Sequence, residues 1–205
     1  MEELKVKKVV ISKQGENGQN FQRFKEIVNK KNISVICVGI DETIYPMKLK
    51  IEKDIYFDIL WPNNSYLISE NLLNNNSIVA KLHYKRFSAL FTGDIEQIAE
   101  KEIIKQYKYN SQVLNSTILK VAHHGSKTSS TKEFLETVKP KISLIGVGEN
   151  NKFGHPNDDV INRLENIGSK IYRTDKMGEI SIFVDKKGRI KIATNNSCKN
   201  TKKGV

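Results

Sequence analysis

The sequence predicts a mixed α/β (α+β) fold, and three observations carry that prediction. Short apolar, β-branched runs recur along the whole chain. Segments with a helical apolar face stand between them. In the second half the two kinds alternate as strand-then-helix units at 86–107, 117–139 and 141–168, the order that builds a layered sheet.

Strands are expected at 5–12, 33–38, 47–51, 55–61, 77–84 and 86–93, with Lys85 and Arg86 turning the last two into a hairpin. Further strands are expected at 117–122, 141–148, 170–174, 179–185 and 189–194. A helix over 18–32 gathers Phe21, Phe24, Ile27 and Val28 on one face. The helix over 94–107 does the same with Ile95, Ile98, Ala99 and Ile103, and Asp94 suits its N-cap. Ser130 and Glu133 have capping-box spacing ahead of a helix over 130–139. Pro156, acidic residues in the first turn and Gly168 bound a helix over 156–168. The stretch 66–77 reads as a polar, Asn-rich loop. No internal boundary interrupts 1–194, while 195–205 carries basic residues and no acids and reads as a disordered tail.

With 205 residues the chain has room for one sizeable domain. Its formal net charge of +11 attracts polyanions, so nucleic acid is a natural partner. Compositional drift explains the charge equally well, because Lys, Asn and Ile are spread throughout and no dense basic patch stands out. Cys37 and Cys198 match no metal-binding spacing and read as reduced thiols of a cytoplasmic protein. The first residues hold no apolar core of signal-peptide length, and no segment reaches the roughly 20 apolar residues of a membrane span.

Three loops that follow strands carry unusual chemistry. After 86–93 comes Asp94; after 117–122 come His123 and His124; after 141–148 comes His155. These are three of the chain's four imidazole positions plus a carboxylate, all at the same end of successive units, and the donor set suits zinc or manganese. Taken singly, Asp94 is a good helix cap, His155 an ordinary loop residue and the His pair a surface dipeptide. Their joint placement favours a site. His83, inside a strand, reads as a sheet residue. Ser126, Lys127, Thr128 and Ser129 offer hydroxyls, amides and a cation to a phosphate, or simply lead into a helix. Gly93, Gly125 and Gly154 flank these positions.

The segments "SIVAKLHYKRFSALFTGDIEQIAEKEII", "LKVAHHGSKTSS" and "FLETVKPKISLIGVGENNKFGHPNDDVINRLENIGSKIYRTDKMGEI" resemble the C-terminal part of a metallo-β-lactamase-fold domain, of the variety attached to ComEC-type DNA-uptake (competence) proteins. The likeness runs from about residue 33 to residue 184. It implies an αββα sandwich with a two-ion zinc or manganese site at one edge of the sheets. Asp94 would be a metal-bridging carboxylate, and His123, His124 and His155 candidate ligands or catalytic imidazoles. The family chemistry is attack of metal-activated water on a phosphodiester, with DNA as the expected substrate.

The resemblance also predicts an incompleteness. The family's His-x-His-x-Asp-His motif is absent, as is Asp-x-Gly-x-Gly-Asp, so the chain is expected to begin inside the domain. On that expectation 1–194 is a partial αββα sandwich lacking its first sheet, which leaves an apolar face to be covered. Asp94, His123, His124 and His155 could complete a dinuclear site but not create one. The isolated chain is then inactive and its partner a separate N-terminal half-domain. The alternative function is a non-catalytic remnant that binds nucleic acid or protein through its positive surface.

Overall fold

A computed structural model describes residues 4–13, 18–38, 46–62 and 67–195. In chain order they form β1 (Lys8–Ser12), α1 (Gln19–Lys30), β2 (Ser34–Val38), β3 (Met47–Glu52), β4 (Ile55–Trp61), α2 (Leu72–Asn75), β5 (Val79–Tyr84), β6 (Phe87–Phe91) and α3 (Gln97–Gln106). There follow β7 (Ile118–Lys120), α4 (Lys132–Val138), β8 (Ile142–Ile145), α5 (Asp158–Asn166), β9 (Lys170–Arg173), α6 (Thr174–Met177), β10 (Glu179–Val184) and β11 (Ile190–Asn195). Short 3-10 turns stand at Ser111–Val113 and Ala122–Gly125. No helix among the described residues is long and apolar enough to cross a membrane.

A mixed sheet of seven strands in the order β3-β4-β5-β6-β7-β8-β9 forms the centre. Its first half is an antiparallel meander: tight turns at 53–54 and 85–86 join β3 to β4 and β5 to β6, and the longer connection holding α2 joins β4 to β5. From β6 onward the pairing is parallel, and each crossover is one of the three expected strand–helix units: β6–α3, β7–α4 and β8–α5. Strands added in one direction by crossovers of one hand place their helices on one face. That face buries Leu60, Trp61, Val79, Leu90, Leu119 and Ile145 of the sheet against Ile95, Ile103, Phe134, Leu135, Val160 and Leu164.

The opposite face differs from the expectation that its covering sheet is absent. Two separate two-stranded ribbons lie on it. Parallel β1 and β2, joined through α1, place Val10, Ile36 and Val38 against Ile59, Ala80 and Phe57. The antiparallel hairpin of β10 and β11 places Ile182, Val184 and Ile190 against Phe87, Ala89 and Ile118. Cover is therefore partial. Phe91, whose ring lies 6.3 Å from that of Phe57, remains 41% exposed, and a cavity of about 320 Å³ bounded by Leu82, Phe91, Lys120, Leu144 and Ile182 runs under β10.

Helix starts are shifted from the sequence expectations. α3 is preceded by Glu96 at its N-cap position, not Asp94, because residues 92–95 form a turn in which the Ile95 amide donates to the Thr92 carbonyl. α4 is capped by Thr131, whose hydroxyl accepts from the Phe134 amide, while Ser130 is buried in a left-handed conformation. α5 is capped by Asn157, with Pro156 lying ahead of the helix. The described part of the Asn-rich loop, from Leu67 on, is built by its asparagines. Asn75 and Asn76 are buried; they bracket the carbonyls of Glu70 and Ile68, and the Asn75 carbonyl accepts from the Trp61 indole at 2.7 Å. Asn195, expected to open the tail, is the last residue of β11; residues 196–205, with Cys198, lie outside the described residues.

Candidate functional site

The parallel strands β6, β7 and β8 deliver their following loops to one end of the sheet, and backbone hydrogen bonds tie those loops together. The His123 amide donates to the Gly93 carbonyl at 3.1 Å, and the Asn157 amide to the Gly125 carbonyl at 2.9 Å. Gly93 has φ +56°, and a Cβ there would meet the Ser77 Cβ at 2.6 Å. The Ser77 hydroxyl in turn accepts from the Asp94 amide at 3.2 Å. Asp94 is thereby held with its carboxylate at the surface, 44% exposed.

His123 and His124 occupy successive left-handed conformations, with φ 46° and φ 55°. That region is sparsely populated for residues with a Cβ, and such conformations concentrate at functional sites. The turn throws the two rings apart, to a centroid separation of 6.5 Å. The Nδ1 of His124 lies 2.5 Å from the Gly146 carbonyl oxygen. A carbonyl can only accept, so Nδ1 carries the hydrogen, and in the neutral ring the lone pair is on Nε2. That Nε2 stands 3.9 Å from Asp94 Oδ1.

His123 points elsewhere. Its Nδ1 is buried without a hydrogen bond and lies 3.5 Å from Glu96 Oε1. Its ring is 5.7 Å from that of His155 in edge-to-face geometry. Burial, and then repulsion from His123 and His124, holds the His155 imidazole below the usual histidine range. The four proposed residues therefore converge, but as pairs. Among the described residues no three His, Cys, Asp or Glu side chains come together so as to hold a metal ion; Asp94 and His124 stand as one pair and His123 and His155 as another.

Of the residues expected to face a phosphate, Ser126 is turned inward: its hydroxyl is 3.0 Å from that of Thr128, and the residue is buried. Lys127 remains exposed. His83 sits at the far end of β5 from Ser77. Its ring stacks on Tyr56 at 4.5 Å and its Nε2 lies 3.0 Å from Asp58 Oδ2, a sheet residue as expected.

Glu96 and Lys120 were not among the expected site residues. Buried Glu96 accepts from Asn71 Nδ2 at 2.7 Å and from the Thr128 hydroxyl at 3.1 Å, beside His123. An acid two residues after Asp94, at the same strand end, was the available signal. Burial pushes the Lys120 ammonium below its ordinary value, and Asp94 partly restores it. Beneath the loop lies a clamp: Glu100, fully buried, accepts from the amides of Ser130 and Thr131, and Arg163 donates to the carbonyls of Ser129 and Ser130. Burial raises the Glu100 carboxyl and the two amides pull it back.

No protein-family model matches the sequence. Individual proteins do. The chain is similar to ComE operon protein 3 of Bacillus subtilis, 34% identical over 143 residues that make up 70% of this chain and 17% of that protein. It is similar to competence protein ComA of Neisseria gonorrhoeae, 32% identical over 64% of this chain and 18% of that protein. Recombination protein 2 of Haemophilus influenzae is 30% identical over 62% of this chain and 15% of its own length. The ComEC-type resemblance of the motifs is thus matched by ComEC-family homologues, of which the chain spans less than a fifth.

Proposed function

We propose that residues 1–194 form one part of a metal-dependent phosphodiesterase with a role in competence, in which Asp94, His124 and His155 contribute metal ligands. The observation that supports this best is the approach of Asp94 Oδ1 and His124 Nε2 to 3.9 Å, with the other ring nitrogen of His124 held by the Gly146 carbonyl. A bound zinc or manganese ion would supply an activated water and polarise the phosphoryl oxygen. The chain's own residues prepare the place. Burial favours the neutral His155 ring, whose lone pair is then available, and Glu96 keeps His123 beside it. Lys127 offers an exposed cation to a DNA phosphate.

Asp94, His124 and His155 do not make a dinuclear site, so in this reading the remaining ligands come from a separate polypeptide carrying His-x-His-x-Asp-His, a motif this sequence lacks. The uncovered strip between the two ribbons, with Phe91 at its floor, is where such a half-domain would sit. The test is reconstitution with a polypeptide bearing that motif. The mixture should bind about two ions per complex and hydrolyse a phosphodiester, and Asp94→Ala should lose both. Metal binding without hydrolysis would refute the phosphodiesterase.

The +11 charge supports a second proposal, a non-catalytic nucleic-acid binder. It predicts metal-independent DNA binding that weakens steeply with salt.

A further inference from the structure

Phe153 is 81% exposed, the greatest exposure of any phenylalanine among the described residues, and it stands on a hydrogen-bonded turn. The Asn151 side chain builds that turn. Its Oδ1 accepts from the amides of Phe153 and His155, and its Nδ2 donates to the carbonyls of Gly148 and His155, at 2.7–3.2 Å. Gly154, at φ +67°, takes the left-handed step of the turn between Phe153 and His155. Phe153 and His155 then lie nearly parallel, 19° apart with centroids at 5.9 Å. One face of the phenyl ring is backed by a histidine of the candidate site, and the ring as a whole is presented to solvent.

An apolar ring left in water on a turn closed by four hydrogen bonds is placed to receive a flat partner. We infer that Phe153 is a stacking shelf for a nucleobase next to the phosphodiester at the candidate site. This rests on the phosphodiester reading and adds to it a preference for single-stranded nucleic acid, whose unpaired bases offer their π faces. Within the turn Glu149 and Lys152 cancel in charge, so selectivity comes from the ring, while attraction of the strand comes from the net charge of +11.

The experiment uses Phe153→Trp as a reporter. Trp61, the chain's own tryptophan, is fully buried and bonded to Asn75, so its emission is a constant background. The protein is titrated at low salt with a single-stranded DNA heptamer and with an abasic heptamer of equal charge. Emission from the introduced indole should be quenched by the first and not by the second. Phe153→Ala should weaken binding of the base-bearing strand about five- to hundredfold and leave the abasic strand unchanged. Equal binding of the two strands, unaffected by Phe153→Ala, overturns the shelf and leaves the phosphodiester reading standing. Binding of neither strand also overturns the shelf, while the phosphodiester reading is decided separately by the reconstitution. Quenching only by a protein partner would make Phe153 a docking contact and overturn the inference.

Discussion

Gly125 lies against Pro156 so closely that a Cβ on the glycine would meet the proline Cβ at 2.6 Å and its Cα at 3.1 Å. Gly125 is also at φ +83°, where an L side chain is strained. This contact sets the spacing of the His123–His124 turn and the His155 loop. Gly125→Ala should therefore cost about 1–3 kcal/mol of stability by overpacking and strain. Urea denaturation reads the loss, and histidine ring chemical shifts should move at all three imidazoles together.

Glu100 gives a second prediction. Glu100→Ala strands two buried amides and should destabilise the chain by about 2–5 kcal/mol. Glu100→Gln, which retains one acceptor, should cost less. Thermal melting orders the two variants; equal losses would mean that packing, not hydrogen bonding, is what Glu100 supplies.

His83 predicts a pH dependence. Burial lowers its pKa first; Lys81 and Lys48 add to this, and Asp58 opposes. With the folded pKa below the unfolded one, the unfolded chain takes up more protons, so stability is fully present above about pH 6.5 and falls as the pH drops through that value towards the folded pKa. His83→Gln should remove this component. The difference between wild-type and variant unfolding free energies should shrink from pH 7 to pH 5, and a difference independent of pH would refute the assignment.

Phe91 predicts where a second polypeptide lands. Half-exposed on the strip between the ribbons, it tolerates Phe91→Arg with a stability change within about 1 kcal/mol, yet that charge should abolish assembly with a half-domain. Analytical ultracentrifugation of the mixture checks this.

Much of this was legible in the sequence because the parallel units repeat one local pattern. The runs ending at Phe91, Lys120 and Ile145 each lead into a helix, so the loops holding Asp94, His123, His124 and His155 had to share a sheet edge. What escaped depends on distant partners. Asp94 loses its capping role because the Gln97 amide at the start of α3 is taken by the Thr128 carbonyl of another loop. Asn75 and Asn76 looked like loop residues, since polarity alone does not show which carbonyls they will meet. The two ribbons were not foreseen as a layer, because periodicity identifies strands and not the sheet they join.

The divided layer also implies an order of opening. Two-stranded ribbons are marginal alone, whereas β4 to β8 are paired on both sides and backed by the helices. Amide hydrogen exchange should therefore be fastest in β1, β2, β10 and β11 and slowest in β6 and β7, splitting the protein into a stable half and two separately fraying flaps. A molecule that closed the strip between the flaps would join them to the slow unit, so exchange at β10 is a remote indicator of its arrival.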